Sequence, residues 1–410
     1  MEKHLTTIRL TICGLLLLTP NSFAQPIKVV PDDGNSEDFF GYSVAIDKEI
    51  ALVGAYKADS RDSEDAGAAY IFAKTKEGWQ QQAKLIASPR YPHDTLGGNV
   101  ALKHGFALLG ARNSDVKKKN AGAVFVFKKE NDTWSQTQVL TAVDAREDDA
   151  YGQSIALTEK FLVIGAPHSD SSYTDSGAAY VYKKANNQWQ FQTKLTATDG
   201  AEGDLFGISV AIDGNTILVG ADLHDAKADN AGAAYTFVFD DNQWHQQAKL
   251  LASDGEKTDI FGVRVALNGN TALISARRGD IEGVGIDAGS AYIFERSNGA
   301  WKQTDKITAP DSHADDRFGR GVALTSSTAI ISAMHSDVSA VNQGALYIYE
   351  KQNGQWRFKF KTVASDASEN DRFGWNVALH DHMAIVGTPH KDDNGAESGA
   401  AYILDVKKAP

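Results

Sequence analysis

The sequence predicts an all-β fold, a seven-bladed β-propeller of four-stranded antiparallel blades in which the N-terminal strand closes the last blade. Two observations lead to this fold. An aromatic residue followed by glycine recurs about every 55 residues, and each interval contains four short apolar segments rich in Val, Ile, Tyr and Phe. Four antiparallel strands in a unit of this length are typical of a propeller blade. Because seven units fill residues 25–410, we expect this range to form a single domain.

The aromatic-glycine pair marks the start of each unit. It occurs at Phe40-Gly41, Tyr151-Gly152, Phe206-Gly207, Phe261-Gly262, Phe318-Gly319 and Phe373-Gly374, with Leu96-Gly97 as a weaker copy. In the first unit the apolar segments run over 42–46, 50–55, 68–72 and 79–86, and Gly, Asp and Asn bound them. Short segments of this composition between turn-forming residues predict antiparallel strands. No stretch after residue 24 shows a convincing helical period.

A tryptophan opens the fourth segment of six units. These residues are Trp79, Trp134, Trp189, Trp244, Trp301 and Trp356. A large flat side chain at this position can pack between neighbouring sheets. We therefore predict a structural role for these residues rather than a platform on which a ligand stacks.

The seventh unit has no fourth segment after its third, which runs over 401–406. The missing segment lies at the other end of the chain, because residues 26–34 resemble residues 249–255, a fourth strand that leads into the next Phe-Gly pair. We expect the N-terminal strand to complete the last blade and close the ring. A closed ring leaves only short, protected sheet edges.

Residues 1–24 have the features of a secretory signal peptide. Lys3 and Arg9 flank an apolar stretch over 10–18, and residues 22–24 place small side chains at the cleavage positions. The stretch is too short to span a bilayer. Cleavage would remove Cys13, the one cysteine of the chain, which excludes thiol chemistry and cysteine metal sites from the mature protein. We expect the protein to be exported and to be periplasmic, secreted or held at the cell surface.

The charge balance excludes one class of partner. The chain carries 41 basic and 53 acidic side chains, a formal net charge of −12. Binding the phosphates of a nucleic acid requires concentrated Lys and Arg, so we expect no nucleic-acid partner. Since no apolar run is long enough to cross a bilayer, the sequence also predicts no transmembrane span.

The repeated motifs resemble those of the FG-GAP repeat proteins, whose best-known members form the seven-bladed head of integrin α subunits. The first unit carries the two short motifs that give the family its name, Phe-Gly at 40–41 and Gly-Ala at 54–55. The third unit carries Tyr-Gly at 151–152 and the full Gly-Ala-Pro motif at 165–167. All seven units carry versions of these motifs, although Ser-Ala or Gly-Thr replaces the Gly-Ala pair in the last three units. The resemblance implies an extracytoplasmic binding or adhesion module that meets its ligands through loops on one face. It implies no particular reaction.

Aspartates recur with the same period in two loops of each unit. The loop that approaches each Phe-Gly pair carries one Asp eight residues and another three residues before the glycine in six units, whereas the second unit keeps only Asp94. The loop between the second and third segments carries an Asp in every unit: Asp59, Asp115, Asp170, Asp225, Asp280, Asp337 and Asp392. Successive strands of a four-stranded antiparallel meander run in opposite directions, so the loop that enters the first strand and the loop that joins the second to the third lie at the same end. We therefore expect one strongly acidic face.

Two interpretations of the aspartates stay open. Oxygen ligands in a loop suit a hard cation such as Ca²⁺, which predicts calcium sites at the seven aspartates between the second and third segments. Alternatively, each Asp accepts backbone N–H groups of its own loop, and the recurrence reflects seven copies of one loop. The calcium loops of integrins alternate Asp residues up to a glycine, and no Asp-x-Asp-x-Asp-Gly occurs in this chain. The calcium prediction therefore comes from the repeated aspartates and not from the resemblance.

One slot of the repeat is the most varied. The position after each Phe-Gly pair holds Tyr42, Gly98, Gln153, Ile208, Val263, Arg320 or Trp375. It lies at the start of the predicted innermost strand and should line the mouth of the central channel. We predict that Tyr42, Arg320 and Trp375, from adjacent blades, form an aromatic and cationic patch that binds a sugar or a carboxylate.

The sequence offers no catalytic constellation. His168, His335 and His390 share one loop slot but are separated by whole blades, which predicts exposed loop histidines rather than zinc ligands. We therefore predict that the protein is no enzyme but an exported binding or adhesion module with a protein or carbohydrate ligand on the acidic loop face. Two alternatives stay open: an extracytoplasmic hydrolase or lyase with an asymmetric site at the channel mouth, and a structural subunit of a surface assembly.

Overall fold

The computed structural model describes residues 26–59 and 63–408. The predicted signal peptide, residues 1–24, lies outside these described residues. Within them the chain forms 28 β-strands in seven four-stranded antiparallel sheets. The predicted all-β fold with seven four-stranded blades is confirmed. In the same two ranges no helix is long and apolar enough to cross a membrane.

Each blade contains four strands, numbered along the chain. The innermost strands are β2 (Phe40–Asp47), β6 (Asn99–Lys103), β10 (Ser154–Leu157), β14 (Ser209–Asp213), β18 (Arg264–Asn268), β22 (Phe318–Leu324) and β26 (Asn376–His380). The second strands are β3 (Ile50–Ala55), β7 (Phe106–Ala111), β11 (Phe161–Ala166), β15 (Thr216–Ala221), β19 (Thr271–Ala276), β23 (Thr328–Ala333) and β27 (Met383–Thr388). The third strands are β4 (Ala68–Thr75), β8 (Ala123–Glu130), β12 (Ala178–Ala185), β16 (Ala233–Asp240), β20 (Ser290–Ser297), β24 (Ala345–Gln352) and β28 (Ala400–Asp405). The outermost strands are β5 (Gly78–Leu85), β9 (Thr133–Leu140), β13 (Gln188–Leu195), β17 (Gln243–Leu250), β21 (Ala300–Ile307), β25 (Gln355–Thr362) and β1 (Ile27–Val29).

The seven blades close into a ring. The innermost strand of each blade contacts the innermost strands of both neighbours, and β26 of the last blade contacts β2 of the first. The last sheet has the order β1-β28-β27-β26, with Val29 opposite Ala401. Lys28 in β1 forms ion pairs with Asp366, at 2.7 Å, and with Asp393. The prediction that the N-terminal strand completes the seventh blade is confirmed.

The hydrophobic core lies between the blades. Buried side chains form seven clusters, and each cluster draws its members from two neighbouring blades. The tryptophans near the start of the outermost strands reach the preceding blade, where Trp189 contacts Phe106 and Trp244 contacts Phe161. These ring contacts fit the structural role predicted for the tryptophans, since aromatic pairs across a sheet interface bury a large apolar area.

Close contacts between successive blades explain the recurring glycines. Gly41 has φ +92°, a conformation that residues other than glycine rarely adopt. A Cβ on Gly41 would overlap the carbonyl oxygen of Ala400 in the neighbouring blade. Gly387, near the end of β27, packs in turn against the carbonyl oxygen of Gly41. The two glycine positions of the repeat thus allow the backbones of adjacent blades to touch.

The loops that carry the repeated aspartates meet at one end of the ring. The loop between the second and third strands of each blade lies beside the loop that approaches the next blade. For example, the N–H of Tyr151 donates to the oxygen of Ala121 at 2.9 Å, and the N–H of Leu96 donates to that of Ala66 at 3.0 Å. We call this end, formed by both sets of loops, the loop end. Because the innermost strands begin there, the loop end surrounds one mouth of the central channel.

Candidate functional site

In six blades the first aspartate of the approach loop, eight residues before the glycine, binds a lysine of the outermost strand. Asp144 Oδ2 accepts a hydrogen bond from Lys194 Nζ at 2.7 Å, and Asp144 Oδ1 accepts one from the hydroxyl of Tyr180 at 2.7 Å. Burial acts to raise the pKa of Asp144, but these two hydrogen bonds outweigh it and hold the pKa below its ordinary value. The same ion pair recurs as Asp33–Lys84, Asp199–Lys249, Asp254–Lys306, Asp311–Lys361 and Asp366–Lys28.

Blade two lacks this group as a whole. Where the other blades carry Asp, Tyr and Lys, it carries Pro89, Phe125 and Val139. Phe125 is fully buried, as are the tyrosines at this position. Buried polar groups need hydrogen-bond partners, so the loss of one member favours the loss of all three. The aspartate is therefore a structural partner of the tyrosine and the lysine.

The second aspartate of each approach loop, three residues before the glycine, is buried and caps its own loop. One of its oxygens accepts the backbone N–H of the residue three positions earlier, as Asp149 does from Arg146 at 2.7 Å. Burial raises the pKa of Asp149, and the hydrogen bond from the backbone only partly offsets this rise. The residues that make this bond are Asp38, Asp94, Asp149, Asp204, Asp259, Asp316 and Asp371.

The seven aspartates predicted as calcium ligands cap the loops between the second and third strands. In each loop Oδ1 accepts the backbone N–H of a residue five to seven positions later, as Asp170 does from Asp175 at 3.0 Å. Within residues 26–59 and 63–408, no three His, Cys, Asp or Glu side chains are grouped as a metal ion requires. Calcium binding at Asp59, Asp115, Asp170, Asp225, Asp280, Asp337 and Asp392 stays a prediction, whereas the backbone hydrogen bond is present in every one of these loops.

The three residues predicted at the channel mouth lie together. The guanidinium carbon of Arg320 lies over the ring of Trp375, 4.1 Å from its centroid. The ring centroid of Tyr42 is 5.5 Å from that of Trp375. Each residue comes from a different blade and stands directly after a Phe-Gly pair. The aromatic and cationic patch is thus a contiguous group of side chains, and ligand binding by it stays a prediction.

Arg320 is buried, with only 5% of its surface exposed. Across the described part of the chain, no residue accepts a hydrogen bond from its Nε or Nη1 atom. Burial lowers the pKa of Arg320 well below its ordinary value, and the positive charges of Arg264, Arg277 and Arg372 lower it further. The channel mouth therefore concentrates positive charge, although the chain as a whole is acidic.

Sequence reasoning missed a second variable slot at the channel mouth. The position after the Gly-Ala pair, where the second strand ends, holds Tyr56, Arg112, Pro167, Asp222, Arg277, Met334 or Pro389. This slot adjoins the first one: the rings of Tyr42 and Tyr56 are 4.3 Å apart, and Arg112 Nη1 donates to Gln153 Oε1 at 3.0 Å. A comparison of this slot across the seven units would have found it, because its residues differ as much as those after the Phe-Gly pairs.

A cavity of about 110 Å³ lies where the innermost strands begin, and residues of all seven blades line it. Arg112, Arg264 and Arg320 contribute its cationic wall. The carboxyl group of Asp222 interacts with Arg264 and Arg277; burial raises its pKa to about 6, against the opposing charges of these two arginines. Burial and the charge of Arg264 lower the pKa of Arg277 to about 10. A small polar cavity lined by guanidinium groups suits the anionic group of a ligand.

The histidine slot is less exposed than the sequence predicts. His168 is exposed, but His335 and His390 are half-buried. His390 packs against the ring of Trp375, at a centroid distance of 5.3 Å, and its Nδ1 lies 2.8 Å from an oxygen of Glu397. Burial lowers the pKa of His335 and His390. The prediction of exposed histidines is therefore wrong for blades six and seven, where neighbouring loops cover the ring.

Comparisons with known proteins agree with this architecture. A family model described as FG-GAP repeat matches residues 23–72, 79–127, 134–182, 189–237, 244–294, 301–349 and 356–404. No curated protein matches the chain. Among solved structures, a chain of the mitotic checkpoint complex is similar over 99% of both chains, with a TM-score of 0.56 and 12% identity. A proposed 6-phosphogluconolactonase from Bacteroides uniformis is similar over 80% of this chain and 86% of its own, with a TM-score of 0.52 and 12% identity. At this identity both likenesses show the fold alone.

Proposed function

The chain belongs to the FG-GAP repeat family, and we propose that it is an exported binding or adhesion module. A protein or a carbohydrate is the ligand, and the loop end of the propeller is the surface that meets it. Family membership supports a binding or structural role, since FG-GAP propellers are binding modules in general. The fold by itself does not select the ligand. We infer the location of the site from the residues that differ between blades.

The observation that carries this proposal is that the sevenfold pattern breaks at the loop end. The blade interfaces repeat the same contacts, whereas a site that recognises one ligand needs residues that differ between blades. The two variable slots supply such residues around the channel. Large apolar side chains are also exposed in the loops between second and third strands: Ile286 is 71% exposed, and Tyr173, Val284, Val338 and Val341 are exposed as well. Four of these five residues come from the neighbouring blades five and six, and contiguous exposed apolar residues mark interaction surfaces.

Acidic residues extend over the same end. The seven aspartates between the second and third strands are all exposed, and the chain carries a formal net charge of −12. We propose that this acidic rim speeds the approach of a basic surface and disfavours acidic partners, because complementary charge mainly sets association rate and specificity. The cationic channel mouth lies inside the rim, so a ligand with a basic surface and one acidic group matches both.

We propose binding rather than catalysis. The alternative of an extracytoplasmic hydrolase or lyase is favoured by one observation, the buried Asp222 whose pKa lies at about 6 among arginines. A carboxyl group with a pKa near the working pH can act as a general acid. If Asp222 catalysed a reaction, Asp222→Asn would abolish turnover of a hydrolysable substrate and leave its binding intact. The other alternative, a structural subunit of a surface assembly, predicts co-elution with native partners in size-exclusion chromatography.

Capture experiments with residues 25–410 test the proposal. The immobilised protein is exposed to a glycan array and to a cell-surface extract, with and without calcium. One variant carries Ile286→Glu and Val341→Glu at the loop end, and the matched control carries Phe358→Glu on the outermost strand β25, where Phe358 is 43% exposed. We expect a ligand that the loop-end variant loses and the control retains. Capture of nothing, or equal capture by both variants, contradicts the proposal.

A further inference from the structure

We infer that the channel mouth holds a site for a single oxyanion group, a carboxylate, a sulfate or a phosphate, between Arg264 and Arg320. Both side chains line the cavity where the innermost strands begin. Arg277 and Arg372 act on Arg320 from just outside it. The inference rests on the proposed function only in that the oxyanion is expected to be part of the larger ligand that the loop end binds.

The charge at the channel mouth is unbalanced. The guanidinium groups of Arg264, Arg277 and Arg372 act on that of Arg320, and burial together with their repulsion lowers the pKa of Arg320. Among the described residues, the carboxyl group that interacts with Arg264 and Arg277 is that of Asp222, which supplies at most one negative charge. Like charges gathered in a partly dry place destabilise the protein unless an anion neutralises them.

Hydrogen-bond donors at this place lack acceptors. Among the described residues, none accepts from Arg320 Nε or Nη1, from Arg277 Nε or from Arg372 Nε. Arg320 is 95% buried, so bulk water reaches these donors poorly. A buried donor without an acceptor costs about 1 to 3 kcal/mol, and more when it is charged. An oxyanion accepts several such hydrogen bonds at once, and arginine presents its N–H groups in a fork that matches one.

The geometry limits the size and orientation of the ligand group. The cavity has a volume of about 110 Å³, which admits one acid group with its hydration but not a whole sugar ring and its neighbours. Trp375 covers one side of the Arg320 guanidinium, with the guanidinium carbon 4.1 Å from the ring centroid. This contact fixes the plane of the guanidinium, and its Nε and Nη1 atoms have no acceptor among the described residues. Arg112 Nη1 already donates to Gln153, and Arg264 Nη1 donates to the backbone oxygen of Val263 at 2.9 Å, so Arg320 is the main hydrogen-bond donor to the oxyanion and Arg264 adds its charge.

Calorimetric titration of residues 25–410 at neutral pH and low ionic strength tests the inference, with sodium sulfate, inorganic phosphate and glucuronate as the probes. We expect saturable binding at one site. Arg320→Gln should weaken it by about tenfold or more, the loss expected for charged hydrogen bonds. Arg357→Gln removes the same charge from an exposed arginine on β25 and should leave the affinity unchanged. Asp222→Asn removes the competing carboxylate and should tighten binding, a gain that misfolding cannot produce.

Several outcomes would overturn the inference. The inference fails if no probe shows saturable binding, if the folded Arg320→Gln variant binds with unchanged affinity, or if Arg357→Gln loses as much affinity as Arg320→Gln. Glucuronate preferred over the inorganic ions supports an organic acid as the source, and the reverse order supports a free ion. The capture experiment separates this inference from the proposed function. Ligand capture that survives Arg320→Gln rejects the oxyanion site alone, whereas anion binding without any captured ligand rejects the adhesion module alone.

Discussion

Arg320 of blade six lies over the ring of Trp375 of blade seven, with its guanidinium carbon 4.1 Å from the ring centroid. No other blade carries either residue at this slot. Each is placed by a Phe-Gly pair that nearly all blades share, so the repeated scaffold positions them without deciding what they recognise. Their contact fixes a buried guanidinium whose Nε and Nη1 donors find no acceptor in the described residues. The residues common to the blades build the ring, and residues found in only one blade form the proposed site.

Closure of the ring by β1 predicts that removal of residues 26–31 destabilises the protein. The deletion removes a sheet edge, the ion pairs of Lys28 and the buried side chain of Val29. Burial of one such side chain contributes ~1.5 to 3 kcal/mol, so we expect a loss of at least about 3 kcal/mol in the free energy of unfolding. Lys28→Met, which breaks the partly exposed ion pairs alone, should cost about 1 kcal/mol or less. Denaturant unfolding measures both, and an unchanged midpoint for the deletion rejects closure.

The blade contact at Gly41 predicts that Gly41→Ala is far more damaging than Gly105→Ala. Both glycines have positive φ, +92° and +74°, so alanine is strained at either. A Cβ at Gly105 meets nothing within 4 Å, whereas at Gly41 it overlaps the backbone of Ala400 in the next blade. We expect a cost of about 1 kcal/mol at Gly105 and at least about 3 kcal/mol at Gly41 in thermal or denaturant unfolding. Equal costs would show that the blades do not meet at this glycine.

The loop aspartates predict different results for two substitutions of Asp170. Asparagine keeps an oxygen that accepts the N–H of Asp175, so Asp170→Asn should leave the melting temperature nearly unchanged. Asp170→Ala loses the cap and should cost about 1 kcal/mol. Because one carboxylate oxygen is already used in this way, we expect millimolar Ca²⁺ and a chelator to give the same melting temperature. A rise with Ca²⁺ that Asp170→Asn removes would instead establish the calcium site.

The buried carboxyl of Asp222 predicts a stability difference between the wild type and Asp222→Asn that depends on pH. Burial raises its pKa from 3.8 to about 6, so the folded protein binds more protons than the unfolded chain between these values. The contribution of Asp222 to stability should therefore decrease from about pH 4 to about pH 6 and stay low above that. Asp222→Asn removes this penalty, and we expect the variant to be more stable than the wild type at neutral pH by up to about 3 kcal/mol. Denaturant unfolding on both sides of the transition measures the difference, which should vanish near pH 4; a variant less stable at neutral pH contradicts this account.

The blades were predictable because their signals are local and repeated. The Phe-Gly pairs, the four apolar segments and the tryptophans recur in register, so that even the weak copy at Leu96-Gly97 is identified by its position. Ring closure was predictable from the resemblance of residues 26–34 to 249–255, a comparison that needs no coordinates. The roles of the aspartates were not, since a metal ligand and a loop cap have the same spacing and differ only in hydrogen bonding.

The channel mouth was predictable only in part. Variability after the Phe-Gly pairs identifies Tyr42, Arg320 and Trp375, and the structure brings them together. Arg277 occupies the variable slot after the Gly-Ala pair, which a comparison across the units would have found, whereas sequence spacing does not show that the slot of Arg264 approaches the channel axis. The burial of Arg320 depends on side chains from several blades at once. The sequence of a single unit therefore does not show which side chains become buried when the ring closes.

Anomalous diffraction from crystals of residues 25–410 soaked in selenate, a heavy analogue of sulfate, tests the central claim most directly. If unique residues at the loop end form the binding site, the selenium peak lies in the channel-mouth cavity, within hydrogen-bond distance of Arg264 and Arg320, and is absent from Arg320→Gln crystals. Selenate bound only at surface lysines, with the cavity empty at concentrations that saturate binding in solution, would contradict the claim.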